Sequence, residues 1–200
     1  MKHSPLLPGF SDAVHDSQNC FRALMQGMSN PGRVIAFPAL PRSPEGANGT
    51  SAAIALTLLD GDTPVSLHNF TDDFSTWLQF HCGCTFSGQN QAFAFIQDGE
   101  TLPKLSTMPT GRTDYPNESV TLVIQVKSLS QGECIHLSGP GIKNEERLRV
   151  SGLASEFWDE LRRNHTLFPQ GFDTILTAPG EIVCLPRTVE VKERGTCTSL

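Results

Sequence analysis

The chain has 200 residues, 38% hydrophobic and 18% charged, with a formal net charge of −6 and a pI near 5.4. This length suits one domain, since single cores run to roughly 150–250 residues before they divide, and the acidic balance argues against nucleic acid or an anionic membrane as the main partner. No run approaches the roughly 18 consecutive apolar residues of a membrane span, and the N-terminus has one lysine and no apolar core before Pro8, so a cytoplasmic protein without a signal peptide is expected.

In chain order, residues 1–9 read as an N-terminal arm, 10–192 as one α/β domain and 193–200 as a polar tail. A helix is expected over 11–28, with Ser11 as N-cap and acids in its first turn. Val14, Phe21, Leu24, Met25 and Met28 fall on one face of it at helical spacing, the face expected to turn inward. Asn30-Pro-Gly32 stops that helix, because proline cannot continue the hydrogen-bond ladder. Pro38 to Asn48 reads as a surface loop. The nearly continuous apolar run over 51–59 is alanine-rich and predicts a buried helix, followed by a break at Asp60-Gly-Asp62 and a short strand over Pro64–His68. A third helix over 72–81 is capped by Thr71-Asp-Asp and carries Phe74, Trp77, Leu78 and His81.

Ala92–Ile96 and Val120–Val126 read as strands, the second apolar on both faces and hence central and covered by helices. Another strand is expected at Cys134-Ile-His-Leu, and a fourth helix over 154–163 with Phe157, Trp158 and Leu161 inward. Thr174–Thr177 and Ile182–Leu185 form a hairpin across Pro179-Gly180, and Thr188–Val191 closes the sheet. About seven strands and four helices predict an α/β fold, a single-domain layered mixed β-sheet flanked by helices. The six cysteines (Cys20, Cys82, Cys84, Cys134, Cys184, Cys197) sit on separate elements without a regular framework and read as reduced thiols.

Among chemistry-bearing groups, Cys82-Gly-Cys84 beside His81 is the densest set of soft ligands. A structural zinc site takes four ligands, usually in two pairs, and no second pair is present, so a buried helix-to-strand turn is expected and no metal. His3, His15, His68, His136 and His165 share no ligand spacing. Gly139-Pro-Gly141 lacks the third glycine and the directly following helix of a dinucleotide loop. It reads as a tight turn, the alternative being an anion contact helped by Lys143 or Arg147. No Gly-x-Ser-x-Gly elbow exists, since Ser87-Gly88 and Ser151-Gly152 lack the flanking glycine. Lys104, Lys127 and Lys143 lack the neighbours of a Schiff-base lysine, so no cofactor is expected. Arg187 follows Pro186 and precedes the Thr188 hydroxyl. Its guanidinium suits bidentate grip on phosphate or carboxylate, or an internal pair with Asp173 or Glu190 that locks sheet to loop. Asp62-Thr63-Pro64 reads either as a turn tied by side-chain hydrogen bonds or as part of a site.

Several stretches together resemble the PhnH family, subunits of the carbon–phosphorus lyase machinery of bacterial phosphonate catabolism. In order, they are Phe21-Arg22-x-Leu24-Met25-x-x-Met28-x-x-Pro31-Gly32, Leu56-Thr-Leu-Leu-Asp60, Asp62-Thr-Pro-Val65 and Phe80-His81. Tyr115-Pro116 with Ser119-Val-Thr-Leu122, Leu137-Ser-Gly-Pro-Gly-Ile142, Phe168-Pro-x-Gly171-x-Asp173 and Leu185-Pro-Arg-Thr188 follow. After Phe80-His81 the chain has Cys-Gly-Cys-Thr where the family tends to have Thr-Gly-Ala-Pro, and the Thr107–Gly111 loop also departs. The resemblance implies a fold similar to the large domain of pyridoxal-phosphate-dependent transferases without the cofactor site, and a homodimer when isolated. It implies assembly with PhnG, PhnI and PhnJ. With PhnG, PhnI and PhnL, it implies a part in displacing adenine from ATP by a phosphonate, giving α-D-ribose 1-methylphosphonate 5-triphosphate. The C–P bond is then cleaved by PhnJ.

Three functions are therefore expected in competition. The first is a subunit that contributes binding surface rather than the reactive group. The second is a free-standing small-molecule enzyme with Arg187, His81 and Asp173 converging within about 10 Å in one cleft, the reach that acid–base transfer needs. The third is an interaction scaffold without a pocket.

Overall fold

A computed structural model describes residues 6–195. Four helices form: α1 Ala13–Ser29, α2 Gly49–Leu58, α3 Asp72–Cys82 and α4 Glu156–Thr166. Ten strands accompany them: β1 Ile35–Ala36, β2 Pro64–His68, β3 Thr85–Phe86, β4 Phe93–Ile96, β5 Thr121–Gln125, β6 Ser128–Ser138, β7 Glu146–Ser151, β8 Asp173–Ala178, β9 Glu181–Leu185 and β10 Glu190–Gly195. The main sheet runs β1-β9-β8-β5-β4-β2-β3, and β10-β6-β7 form a second, smaller sheet. Strands β3, β2, β4, β5 and β8 are mutually parallel, while β9 returns antiparallel as the expected hairpin across Pro179-Gly180.

Side-chain alternation on the main sheet makes three layers. Phe95, Val123, Ile175, Ile182 and Cys184 face α1, α2 and α3 in one core. Ala94, Ile96, Leu122, Ile124, Leu176, Val183 and Leu185 face the opposite way, into a core shared with the second sheet and α4. Strand β5 is central, as its two apolar faces predict, but a sheet as well as a helix covers its second face. Trp77 and Trp158 are fully enclosed, one in each core, and burial of so large an apolar side chain contributes roughly 1.5–3 kcal/mol or more.

Helix α2 is apolar all round and buried from Thr50 to Ala55, as expected. Helix α1 departs from expectation twice. Its N-cap is Asp12, whose carboxylate accepts the His15 N–H, rather than Ser11. Its inward face is Cys20, Ala23, Leu24 and Gly27, whereas Val14, Phe21 and Met25 are exposed. The helix carries two apolar stripes, and Gly27 decides which one packs: a Cβ there would stand 2.7 Å from Cys184 Sγ. Strand pairing corrects the sequence reading at the C-terminus as well. Residues 190–195 pair with β6 in the second sheet instead of closing the first, so one expected sheet is two. Cys20, Cys82, Cys84 and Cys184 are free thiols, but Cys134 is disulfide-bonded, which corrects the all-reduced expectation there. Residues 193–195 of the expected polar tail instead continue β10, while residues 1–5 and 196–200 lie outside the described residues.

Candidate functional site

Asp173, Arg187, Asp62 and Thr63 fall toward the N-terminal edge of the parallel strands. Asp173 opens β8, Arg187 lies in the turn that follows β9, and Asp62-Thr63 precede β2. The turn is closed by the Val189 N–H donating to Pro186 O at 2.9 Å. Arg187 is therefore in a turn, not at a strand start.

Arg187 is 14% exposed and Asp173 24%. Arg187 Nε donates to Asp173 Oδ1 at 3.2 Å and Nη2 to Asp173 Oδ2 at 2.6 Å. Nη2 also donates to Ser119 Oγ at 2.6 Å, while Nη1 donates to Pro116 O at 2.8 Å and Pro169 O at 3.3 Å. A guanidinium has five N–H donors, and these five bonds engage them all. The internal pair with Asp173 is thus the arrangement present, and Glu190 instead accepts from Ser138. Arg187 ties together Tyr115-Pro116, Ser119, Phe168-Pro169 and the start of β8. The 137–142 stretch joins this assembly, because Gly139 packs where a Cβ would meet Thr188 O at 2.7 Å. Gly139-Pro-Gly141 forms the tight turn expected, closed by Ile142 N–H on Gly139 O at 3.1 Å.

His81 and Asp62-Thr63 belong to a different place. His81 Nε2 donates to Leu7 O at 3.0 Å, beside the Trp77 indole N–H that donates to the same oxygen at 2.8 Å, so both side chains fasten the N-terminal segment. Asp60 Oδ1 accepts the Thr63 hydroxyl at 2.6 Å and the Asp62 N–H at 3.1 Å, and the Thr63 bond above all holds the Asp60 carboxyl below its usual range. Asp62-Thr63 thus form a side-chain-tied turn. Between Asp173 on β8 and Val65 on β2 lie three strand-to-strand steps, about 14 Å at about 4.8 Å each. No partner of His81 is shared with Arg187. The fold pairs Arg187 with Asp173, whereas His81 is engaged with the N-terminal segment.

Cys82-Gly-Cys84 is a helix-to-strand turn, with Gly83 as left-handed C-cap at φ 67° and Cys84 buried. Burial, with a smaller contribution from Cys84, pushes the Cys82 thiol up to about 12. Such a thiol carries almost no thiolate at neutral pH.

Two features were not legible in the sequence. At the C-terminal edge of the parallel strands, Gln125 Oε1 accepts Asn48 N–H at 2.5 Å, and its Nε2 donates to Gly46 O at 2.8 Å and Gln97 O at 2.9 Å. Ser51 Oγ and Thr177 Oγ1 meet at 2.9 Å, and Thr50 donates to Ala178 O at 2.7 Å. Ligands of open α/β sheets usually bind at this edge, but here internal hydrogen bonds anchor the start of α2 against it. The only signal in the sequence was a cluster of polar residues at the head of an apolar helix. The second feature is a cleft of about 590 Å³ at the N-terminal edge, lined among others by Gln91, Thr110, Arg112, Glu118 and Ser119. Ser119 connects it directly to the Arg187 assembly.

What this defines is a layered α/β protein whose motif-bearing loops are tied together around one enclosed guanidinium. The comparisons make that particular. Residues 8–192 match the model of the family described as bacterial phosphonate metabolism protein PhnH. The chain is 37% identical over 189 residues to the alpha-D-ribose 1-methylphosphonate 5-triphosphate synthase subunit PhnH of Rhizobium meliloti (strain 1021), covering 92% of this chain and 94% of that one. It is also 30% identical over 180 residues to a Stutzerimonas stutzeri protein named "Putative C-P lyase subunit protein HtxG", covering 89% and 87%. The chain belongs to the PhnH family.

Proposed function

We propose that the chain serves as a subunit of a carbon–phosphorus lyase assembly, supporting transfer of the ribose triphosphate moiety from ATP to methylphosphonate. In this reading it contributes surface and loop geometry, and another subunit supplies the reacting groups. The observation that carries it is the enclosure of Arg187. The side chain best suited to grip a phosphate has all five donors on protein acceptors, so it braces the loops. Asp173, His81 and Thr63 act likewise, each through the turn or segment it fastens, and Thr188 and Asp62 are parts of the turns so held.

PhnG, PhnI and PhnJ are the proposed partners, with a homodimer when the chain is alone and the cytoplasm as its compartment. No helix among the described residues is long and apolar enough to cross a membrane. The exposed Val14, Phe21 and Met25 of α1 favour an interacting role over a free-standing enzyme. We also propose that the main sheet is related to the large domain of pyridoxal-phosphate-dependent transferases. Lys127, beside the C-terminal end of β5, is ion-paired to Glu100 at 2.8 Å.

The test is a pair of measurements. Tagged chain from phosphate-starved cells should bring down PhnG, PhnI and PhnJ by mass, and purified chain with ATP and methylphosphonate should release no adenine. Turnover by the chain alone, or purification without those partners, overturns the reading.

A further inference from the structure

Gln91 and Ser119 both line the N-terminal-edge cleft, and each has hydrogen-bonding capacity left over. Each precedes by two residues the paired Phe93 and Thr121 of β4 and β5, and the Thr121 N–H still donates to Ala92 O at 2.8 Å. Both side chains are buried, at 5% and 8% exposure. Ser119 Oγ accepts from the Arg187 guanidinium at 2.6 Å, and no described residue accepts its own hydroxyl hydrogen. A cationic donor on the oxygen makes that hydroxyl a better donor in turn. Gln91 directs Nε2 at Met108 Sδ, 3.0 Å away, and its Oε1 has no protein partner. A buried acceptor left unmatched is costly, and the torsion that sets the amide is soft, so the carbonyl can turn to the cleft.

The rim limits the charge of what enters. Arg112 lies over the Tyr115 ring, 4.8 Å from its centre. Its Nε is 3.6 Å from both Asp114 and Glu118. Two carboxylates beside one guanidinium disfavour an anion, the guanidinium disfavours a cation, and the Asn, Gln, Thr and Ser lining disfavours an apolar molecule. The loop that carries Arg112 is fixed, because Gly111 adopts φ +74° with Pro116 O where a Cβ would clash at 2.7 Å, and Arg187 holds that same Pro116 carbonyl.

We propose that this cleft binds an uncharged planar ligand with an amide-like edge, of the nucleobase kind. A ring nitrogen or carbonyl accepts from Ser119, an adjacent N–H donates to Gln91, and the ring face lies on the Arg112 guanidinium, which Tyr115 backs. Planar stacking on guanidinium and aromatic groups is a general mode of base binding.

Tyr115 is the only tyrosine in the chain, so its acylation by N-acetylimidazole, located by mass spectrometry, reports occupancy. The full chain would be titrated calorimetrically with adenosine, guanosine, cytidine and uridine, with N6,N6-dimethyladenosine and with ribose 5-phosphate. At least one nucleoside should bind and protect Tyr115, and Gln91→Met, which keeps the length and removes the acceptor, should weaken it about tenfold or more. If that variant does not fold, comparison of the native chain with the dimethylated and parent adenosines reads the same contact. Absence of binding by all four nucleosides overturns the proposal. So does an unchanged affinity for Gln91→Met, or equal competition by ribose 5-phosphate, which would mark a sugar-phosphate site.

Discussion

Asp173 accepts three hydrogen bonds from a single residue, Arg187: two from its guanidinium, at 3.2 and 2.6 Å, and one from its backbone N–H at 2.8 Å. The carboxylate thereby fixes both the side chain and the turn that bears it. Because the same guanidinium reaches Pro116, Ser119 and Pro169, removing either member frees three loops at once.

Asp173→Ala should therefore cost about 3 kcal/mol of unfolding free energy, as when one partner of a largely buried ion pair is deleted. Arg187→Lys should recover little of the loss of Arg187→Ala, since an ammonium cannot reproduce the planar fork. Urea unfolding of the three variants checks this, and a loss below about 0.5 kcal/mol in Asp173→Ala would contradict the bracing role.

Gln125→Leu should destabilise the chain by about 3 kcal/mol or more, because Gly46 O, Gln97 O and Asn48 N–H each lose a partner and an unmatched buried polar group costs about 1–3 kcal/mol. Hydrogen exchange should speed up first at the start of α2 and in the loop before it. Uniform exchange across the chain would show that Gln125 is not a local anchor.

On α1, Phe21→Ser should change stability by about 0.5 kcal/mol or less, whereas Leu24→Ala should cost about 2–5 kcal/mol. The contrast follows from burial alone: Leu24 is 4% exposed and Phe21 49%. Thermal or urea unfolding of the two variants decides which apolar stripe faces the core.

Cys82 and Cys184 are both held up to about 12 by burial. A raised thiol pKa means the reactive thiolate is scarce until the solution is strongly alkaline. At pH 8 each should react with Ellman's reagent about a thousandfold more slowly in the native chain than after unfolding, where the thiol returns to about 8.5. Rapid native labelling at either position would show it more open than the fold places it.

Much of this was readable from the residues. The apolar run at 120–126 gave a central strand, Pro179-Gly180 gave a hairpin, and Gly139-Pro-Gly141 gave a turn, because each depends on local backbone chemistry and alternation. Val14, Phe21 and Met25 were misread, because helical periodicity marks an apolar stripe without saying whether a neighbour meets it. The close fit of Gly27 against Cys184, 157 positions further along the chain, chose the other stripe. The closing strand expected at 188–191 belongs to the second sheet from Glu190 on, for a related reason: strand propensity names no partner.

By itself the sequence determined the class, an acidic layered α/β chain, and through ordered motifs its family. It also limited Arg187 to two roles, ligand grip or internal brace. Only the tertiary structure decided between them, because the five acceptors of that guanidinium come from segments spread over residues 116–173. Whether an arginine is open or enclosed depends on where such distant carbonyls and carboxylates converge, and convergence is a property of the packed chain.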